Sequence, residues 1–245
     1  MLRDETFFIP FATSDLPEGP WLVFSPHADD ETFGMGGTLI KAASVGIETH
    51  LIVLTDGALG GEELNLVDVR EAEVKRAAAA MRVSSIDCWK ERDRGLDFDE
   101  MLVAKIGDKI NQISPAVVFF PGLMEPHPDH RSTSLLVWSA LQGITEDKRP
   151  DAYSYEISVQ SPVNFLVDIT SQAEQKAEVM SIYNSQNMQN NYEELVTALD
   201  KGRTFSLSPE VNYAEGFYHY SRNHLEKNLT EVLVELVQDY FRSYR

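Results

Sequence analysis

The chain has 245 residues, a length that suggests one large domain, and we expect residues 1–245 to fold together. Hydrophobic residues make up 43% and charged residues 24% of the chain, which is an ordinary globular composition and excludes disorder throughout. With 21 basic and 39 acidic residues the formal net charge is −18, and such a negative field argues against nucleic acid as a partner.

The sequence contains no sign of a membrane span or of export. No stretch approaches the roughly 18 consecutive apolar residues that a membrane-spanning helix needs. The first residues, MLRDETFFIPFATSDLPEG, contain acids and prolines where a signal peptide needs an apolar segment. The only cysteine, Cys88, cannot form an internal disulfide, which is compatible with a reducing compartment. We therefore expect a soluble, cytoplasmic chain.

Strand and helix patterns alternate through the first 141 residues. The predicted strands cover residues 21–25, 49–55, 85–89 and 116–120; the predicted helices cover 38–44, 69–82, 99–113 and the stretch after Asp129 up to about 141. The last of these strands is wholly apolar, as expected of a strand covered on both faces. The alternation predicts a Rossmann-like α/β fold, with a mostly parallel sheet and helices on both faces.

Beyond Pro150 the pattern becomes less regular. Two more strands are predicted at residues 153–159 and 164–169, and helices at 172–183, 193–199 and 225–241. No strand is predicted between the last two helices.

Two polar segments follow predicted strands at the ends where open parallel sheets form their sites. They are Pro26-His-Ala-Asp-Asp-Glu31 and Glu125-Pro-His-Pro-Asp-His130, and together they hold three of the six histidines. Because the carboxyl ends of parallel strands meet at one edge of a sheet, we expect these side chains to lie close together. This clustering is the main functional signal in the sequence.

A catalytic zinc site has three protein ligands, from His, Asp or Glu, and one open position. His27 and Asp30 are three residues apart, on one side of a turn, so that Asp29 is free to act as a base. One of the two histidines of the second segment would complete the metal site, and the other would face the reacting group. The alternatives are a core or capping histidine at position 27, acidic residues at a helix N-terminus, and a turn with an N-cap at Asp129. The whole set together favours the metal site.

The paired segments resemble the signatures of the LmbE-like, or PIG-L, zinc-dependent deacetylases, which remove N-acetyl groups from N-acetylglucosamine-containing molecules. The resemblance extends to Gly36-Gly37, Thr55-Asp-Gly57, Arg70-Glu-Ala-Glu73, Tyr183-Asn-Ser-Gln186 and Tyr213-Ala-Glu-Gly-Phe217. It covers most of the chain, thinly after residue 140.

The resemblance implies a role for each residue of the two segments. His27, Asp30 and His130 would be the zinc ligands, Asp29 the general base, and His127 the acid or oxyanion partner. Zinc lowers the pKa of a bound water toward about 7, and other divalent transition metals accept the same ligands. Asp129 is expected to orient His127 and raise its pKa, with an N-cap as the alternative.

Two further residues are candidates for substrate binding. Asp56 would contact sugar hydroxyls or an amine, with an Asp-Gly turn as the alternative. Arg70 resembles an arginine that family members turn toward the substrate, although an exposed helix arginine would look the same. Glu215 lies near the pocket or, alternatively, at a strand edge. The competing functions are hydrolysis of another amide and non-catalytic metal binding, and the oligomeric state is left open.

Overall fold

The computed structural model describes residues 5–7, 9–61 and 64–242, and its centre is a seven-stranded sheet. The strands are β1 Trp21–Ser25, β2 Thr49–Thr55, β3 Ser85–Glu91, β4 Val117–Pro121, β5 Asp151–Tyr155, β6 Phe165–Asp168 and β7 Ala214–Tyr220. The helices are α1 Asp30–Ser44, α2 Leu66–Ala80, α3 Glu100–Ile113, α4 Pro128–Gln142, α5 Ala173–Met180, α6 Asn184–Asn187, α7 Tyr192–Gly202 and α8 Leu229–Arg242.

The strand order is β3-β2-β1-β4-β5-β7-β6. Strands β1 to β5 pair in parallel, whereas β7 runs antiparallel to both β5 and β6. The order reverses between β1 and β4, and in open α/β sheets the crevice at such a reversal is where ligands bind. The two polar segments follow these two strands.

Two buried apolar clusters lie on opposite faces of the sheet. Helices α1, α2 and α5 contribute Leu39, Val74 and Val179 to one cluster. Helices α3 and α4 contribute Ile106 and Leu136 to the other. The predicted α/β fold, mostly parallel and covered by helices on both faces, is therefore confirmed. Among the described residues, no helix is both long and apolar enough to cross a membrane.

The boundaries of helix α1 differ from the predicted ones. The helix begins at Asp30 rather than at residue 38, so that Gly34, Gly36 and Gly37 lie within it. The helix is kinked at Met35, where φ is −149° and ψ is 22°. A Cβ at Gly34 would lie 2.4 Å from Tyr155 Cδ2 and 2.5 Å from the Glu156 carbonyl oxygen. Glycine is needed there because the helix contacts the end of β5 directly.

The region after residue 150 differs most from prediction. Strand β7 was missed, and β5 ends at Tyr155 rather than at residue 159. Glu215 and Gly216, the second and third residues of β7, are residue types that strands disfavour. Tertiary contacts override this preference, because the Glu215 carboxylate is buried with partners from α1 and α5.

Candidate active site

The loops after β1 and β4 meet at the carboxyl edge of the sheet. His27 follows β1, and Asp30 opens α1. His127 is the N-cap of α4, Pro128 is its first residue, and His130 lies in its first turn. The three ring centroids of His27, His127 and His130 lie 4.6 to 5.4 Å apart. The predicted clustering of these side chains is confirmed.

Among the three expected metal ligands, the two histidines each place a ring nitrogen close to the same carboxylate oxygen, which belongs to Asp30. Asp30 Oδ2 lies 3.0 Å from His27 Nδ1 and 3.2 Å from His130 Nε2. Ligand atoms bound at about 2.0–2.1 Å to a tetrahedral zinc ion lie about 3.3 Å from each other. All three residues are buried, and two imidazoles with one carboxylate are a donor set that zinc accepts. The donor types and the two distances from Asp30 therefore fit a zinc ion. His27, His127 and His130, whose ligand atoms lie within 4.8 Å of one another, form a second possible set.

Carboxylates lie near the outer nitrogens of the two histidines that are expected to bind metal. His27 Nε2 lies 3.1 Å from Asp129 Oδ2 and 3.3 Å from Asp93 Oδ1. His130 Nδ1 is buried without a hydrogen bond, and the nearest carboxylate oxygen, Glu125 Oε2, lies 3.5 Å away. Carboxylates in these positions fix the orientation of ligand histidines.

The same carboxylates change the proton affinity of the ligands. Burial lowers the pKa of His130, but the charge and hydrogen bond of Asp30, together with the nearby carboxylate of Glu125, outweigh it and raise the pKa to about 9. Burial likewise lowers the pKa of His27, while hydrogen bonds to Asp129, Asp30 and Asp93 bring it well above its ordinary value. The raised pKa values show that both imidazoles lie in a negatively charged environment, and a metal ion bound to these nitrogens would have to displace a proton.

Asp29 lies beside the ligands, in an unusual backbone conformation with φ 142°. Its Oδ2 is 3.1 Å from Arg70 Nη2, which also donates to the Ala28 carbonyl at 3.0 Å. Burial raises the pKa of Asp29 to about 7, although the positive charge of Arg70 opposes the shift. A carboxylate with such a pKa matches the requirement for a general base near neutral pH.

Arg70 is thus not the exposed helix arginine that the sequence left open, since only 4% of it is exposed. Its guanidinium lines the cavity but is occupied by Asp29 and by backbone carbonyls. Gly57 and Gly60 make room for it, because a Cβ at either position would lie within 3 Å of the Arg70 side chain. The glycines that were assigned to a turn thus also accommodate this arginine.

The partner of the Asp129 side chain differs from the predicted one. The carboxylate contacts His27 rather than His127, and His127, not Asp129, is the N-cap of α4. His127 Nδ1 accepts a hydrogen bond from the Asp129 backbone N–H at 3.2 Å. Burial and the positive charges of His27 and His130 lower the pKa of His127 to about 4, opposite to the predicted increase. The ring is therefore neutral at pH 7, with its proton on Nε2.

Asp56 and Glu215 lie outside the cavity that surrounds the ligands. Asp56 Oδ1 accepts backbone N–H groups from Ala58 at 3.0 Å and Asp93 at 3.2 Å. It therefore has the turn role that was its alternative, not the predicted substrate contact. Glu215 is buried and accepts the backbone N–H groups of Gly37 and Thr38, so it is neither near the pocket nor an exposed edge acid.

Several residues that support the candidate site were not predicted from the sequence. Asp93 follows β3 at the same sheet edge, and the strand-end rule that identified the other loops would have identified it as well. Glu31 is fully buried; its carboxylate accepts hydrogen bonds from Tyr183, Thr32 and Ser25. Tyr183 lies 152 residues away, and no local pattern indicates that pairing.

The ligands open into a cavity of about 630 Å³. Its lining includes His27, Asp29, Asp30 and His127, together with the exposed Arg94. One wall is apolar and comes from α1 and α7, where the rings of Phe33 and Tyr192 stack 5.6 Å apart. The cavity can therefore hold a ligand with both polar and apolar faces next to the metal ligands.

Comparison with known proteins identifies relatives of the chain. Residues 22–141 match the PIG-L family, described as GlcNAc-PI de-N-acetylase. The diacetylchitobiose deacetylase of Thermococcus kodakarensis is 30% identical over 186 residues, which cover 67% of this chain and 69% of that protein. A probable N-acetyl-alpha-D-glucosaminyl L-malate deacetylase 2 of Bacillus anthracis is 31% identical over 145 residues. That alignment covers 54% of this chain and 64% of the relative, which is less than two thirds of its length.

Solved structures share the fold. N,N'-diacetylchitobiose deacetylase from Pyrococcus horikoshii superposes with a TM-score of 0.73 at 24% identity, over 82% of this chain and 83% of that one. GalB, the 4-carboxy-2-hydroxymuconate hydratase of Pseudomonas putida KT2440, superposes with a TM-score of 0.72 at 21% identity, over 82% and 96% of the two chains. The fold alone therefore does not determine the reaction. Sequence similarity is more specific, and it shows that the chain belongs to the PIG-L, or LmbE-like, family of deacetylases.

Proposed function

We propose that the chain is a metal-dependent hydrolase that removes the acetyl group from an N-acetylglucosamine-type sugar or sugar conjugate. The observation that carries this proposal is the convergence of Asp30 with His27 and His130, beside the near-neutral carboxyl of Asp29, in one cavity. The names of the relatives, deacetylases of diacetylchitobiose and of a glucosaminyl malate, support the same substrate class.

Zinc is the metal that we propose, held by His27, Asp30 and His130. When bound, a divalent ion would supply Lewis acidity that lowers the pKa of a water molecule and polarises the amide carbonyl. Iron, cobalt or nickel would accept the same ligands, and cellular supply would decide between them. Asp129, Asp93 and Glu125 would orient the two histidines through their outer nitrogens.

Asp29 would act as the general base. With a pKa of about 7 it is partly ionised at neutral pH, and it can take a proton from the water that attacks the acetyl carbonyl. Arg70 holds the carboxylate in place and limits the rise of its pKa. The protonated Asp29 would then be available to give the proton to the departing amine.

His127 would stabilise the oxyanion. Its Nδ1 accepts the Asp129 backbone N–H, so in the neutral ring Nε2 is the donor. With a pKa of about 4 it would donate as a neutral imidazole, and Asp29 is the better source of the proton for the leaving amine. Asp129 would act on this reaction indirectly, through His27.

The test is acetate release from a panel of N-acetylglucosamine derivatives and acetylated chitooligosaccharides, with protein stripped of metal and resupplied with zinc. Asp29→Asn is expected to keep zinc and lose turnover by about 10²- to 10⁴-fold. Asp56→Asn is the matched control, because that acid lies outside the cavity and Asn Oδ1 can still accept the turn hydrogen bonds.

Full turnover by Asp29→Asn would contradict the base assignment. Stoichiometric zinc without acetate release from any sugar would favour hydrolysis of another amide, or a metal-binding protein without catalysis. A single domain and a cytoplasmic location remain predictions from the sequence.

A further inference from the structure

The kink in α1 separates the functional turn of the helix from its remainder. The first part holds Asp30 and Phe33 and follows directly after the N-cap Asp29, and the second part begins after Met35, whose ψ of 22° is not helical. In a continuous helix the Phe33 carbonyl would accept the Gly37 N–H. Both groups are buried and need partners.

A buried ion pair supplies those partners. The Phe33 carbonyl accepts a hydrogen bond from Lys176 Nζ at 3.0 Å. Glu215 Oε1 accepts the Gly37 N–H at 2.8 Å, and Glu215 Oε2 accepts the Thr38 N–H at 2.7 Å. Lys176 Nζ in turn lies 2.8 Å from Glu215 Oε1. The pair therefore contacts both groups that an unbroken helix would join to each other.

The same lysine connects α1 to the cavity wall. Lys176 Nζ lies 2.6 Å from Asp200 Oδ2 on α7, the helix that places Val196 and Leu199 in the cavity. Lys176 is on α5 and Glu215 on β7, so four elements meet at one ammonium group. Only 1% of Lys176 and 1% of Glu215 are exposed.

We propose that the Lys176–Glu215 ion pair positions the active site by bridging the kink in α1, which holds the turn with the base and a metal ligand against β7 and α7. This inference rests on the proposed function for its metal. A buried charge pair contributes little net stability compared with apolar residues of the same volume. At the kink, however, the pair does what apolar residues cannot do. Lys176 donates a hydrogen bond to the carbonyl on one side of the kink, and Glu215 accepts hydrogen bonds from the N–H groups on the other side.

The experiment compares zinc affinity and backbone protection in Glu215→Gln, Lys176→Met and the wild type. Zinc affinity is measured by competition with a chromophoric chelator, without substrate. Both variants are expected to bind zinc about tenfold more weakly, as for other residues that orient metal ligands. Amide hydrogen exchange should become faster not only at Gly37 and Thr38 but also across residues 29–33.

Two further variants separate positioning from loss of stability. Ile110→Ala, in the apolar cluster on the other face of the sheet, lowers the unfolding temperature while leaving α1 untouched and should keep wild-type zinc affinity. Glu215→Asp keeps the charge with a shorter side chain, so it is expected to fold even if Glu215→Gln does not, and to show a smaller loss in the same direction.

Unchanged zinc affinity in the folded variants, or an equal loss in Ile110→Ala, would overturn the inference. Faster exchange confined to Gly37 and Thr38 would overturn it as well. If the wild type binds no zinc, the proposed function fails by itself, and the exchange of residues 29–33 still decides whether the ion pair positions this turn.

Discussion

Two regions of the chain, residues 21–142 and residues 151–220, contribute strands to the same sheet but supply different parts of the site. The first region is parallel, and it supplies every proposed metal ligand, the base and the oxyanion partner. The second region inserts the antiparallel β7 between β5 and β6 and supplies support: Tyr183 contacts Glu31 across 152 residues, and Glu215 contacts Gly37 across 178. The reacting groups, together with the carboxylates and the arginine beside them, thus come from the first region, whereas the second region supplies the groups that hold α1.

The largest expected effect comes from a ligand of the first region. His130→Ala should lower zinc affinity and acetate release on the order of a thousandfold, because two ligands hold the ion much less tightly than three. Zinc content after dialysis and acetate release are the measurements. His50→Ala, on β2 and away from the cavity, is the control. If His130→Ala retained its zinc, the assignment of His130 as a metal ligand would be wrong, and His127 would be the expected ligand instead.

Arg70→Met should reduce turnover by about a hundredfold, because it leaves the Asp29 carboxylate buried without its cation and free to move away from the reacting atoms. Zinc content should stay at the wild-type level, since Arg70 contacts no proposed ligand side chain. Steady-state kinetics check the prediction. Arg76→Met, an exposed arginine on the same helix, should have full activity, and a loss there equal to that of Arg70→Met would remove the special role of Arg70.

For Tyr183, in the second region, the expected effect is on stability. Tyr183→Phe removes the phenol that donates to the buried Glu31 carboxylate, which should lower the free energy of unfolding by about 1–3 kcal/mol. Denaturant unfolding measures the loss, with Tyr192→Phe, whose ring is half-buried at the cavity wall, as the control. An unchanged stability would mean that Thr32 and Ser25 alone satisfy Glu31.

The smallest expected effect depends on pH. Burial raises the pKa of Asp200 to about 7, despite the charge of Lys176, above the ordinary value of 3.8. A raised acid pKa stabilises the folded state at low pH, and this contribution is lost as pH rises through 7. Relative to Asp200→Asn, the wild type should therefore lose about 1 kcal/mol of stability between pH 6 and pH 8. The measurement is urea unfolding at both pH values, with the exposed Asp97→Asn as the control. The prediction is wrong if the stability difference between the wild type and Asp200→Asn changes with pH no more than the difference between the wild type and Asp97→Asn.

The same division explains how much could be predicted. Strands β1 to β4 alternate with helices, and their buried runs and turn residues are local features, so both the α/β fold and the meeting of the two polar segments were predicted correctly. The partner of Asp129 was not, since the choice between His27 and His127 depends on how two loops cross. Strand β7 was missed because Glu215, near its start, is stabilised by partners from α1 and α5 rather than by local propensity.

The sequence by itself determined the parallel α/β architecture, the family resemblance and the residues able to bind a metal, since these follow from periodicity and from the spacing of side chains within short segments. Only the tertiary structure decided which carboxylate orients which histidine, that His127 is neutral, that Arg70 holds Asp29, and that Glu215 bridges the kink in α1. Those properties depend on burial and on contacts between residues distant in sequence, and a hydrogen bond or a pKa shift exists only once the chain has brought both partners out of water.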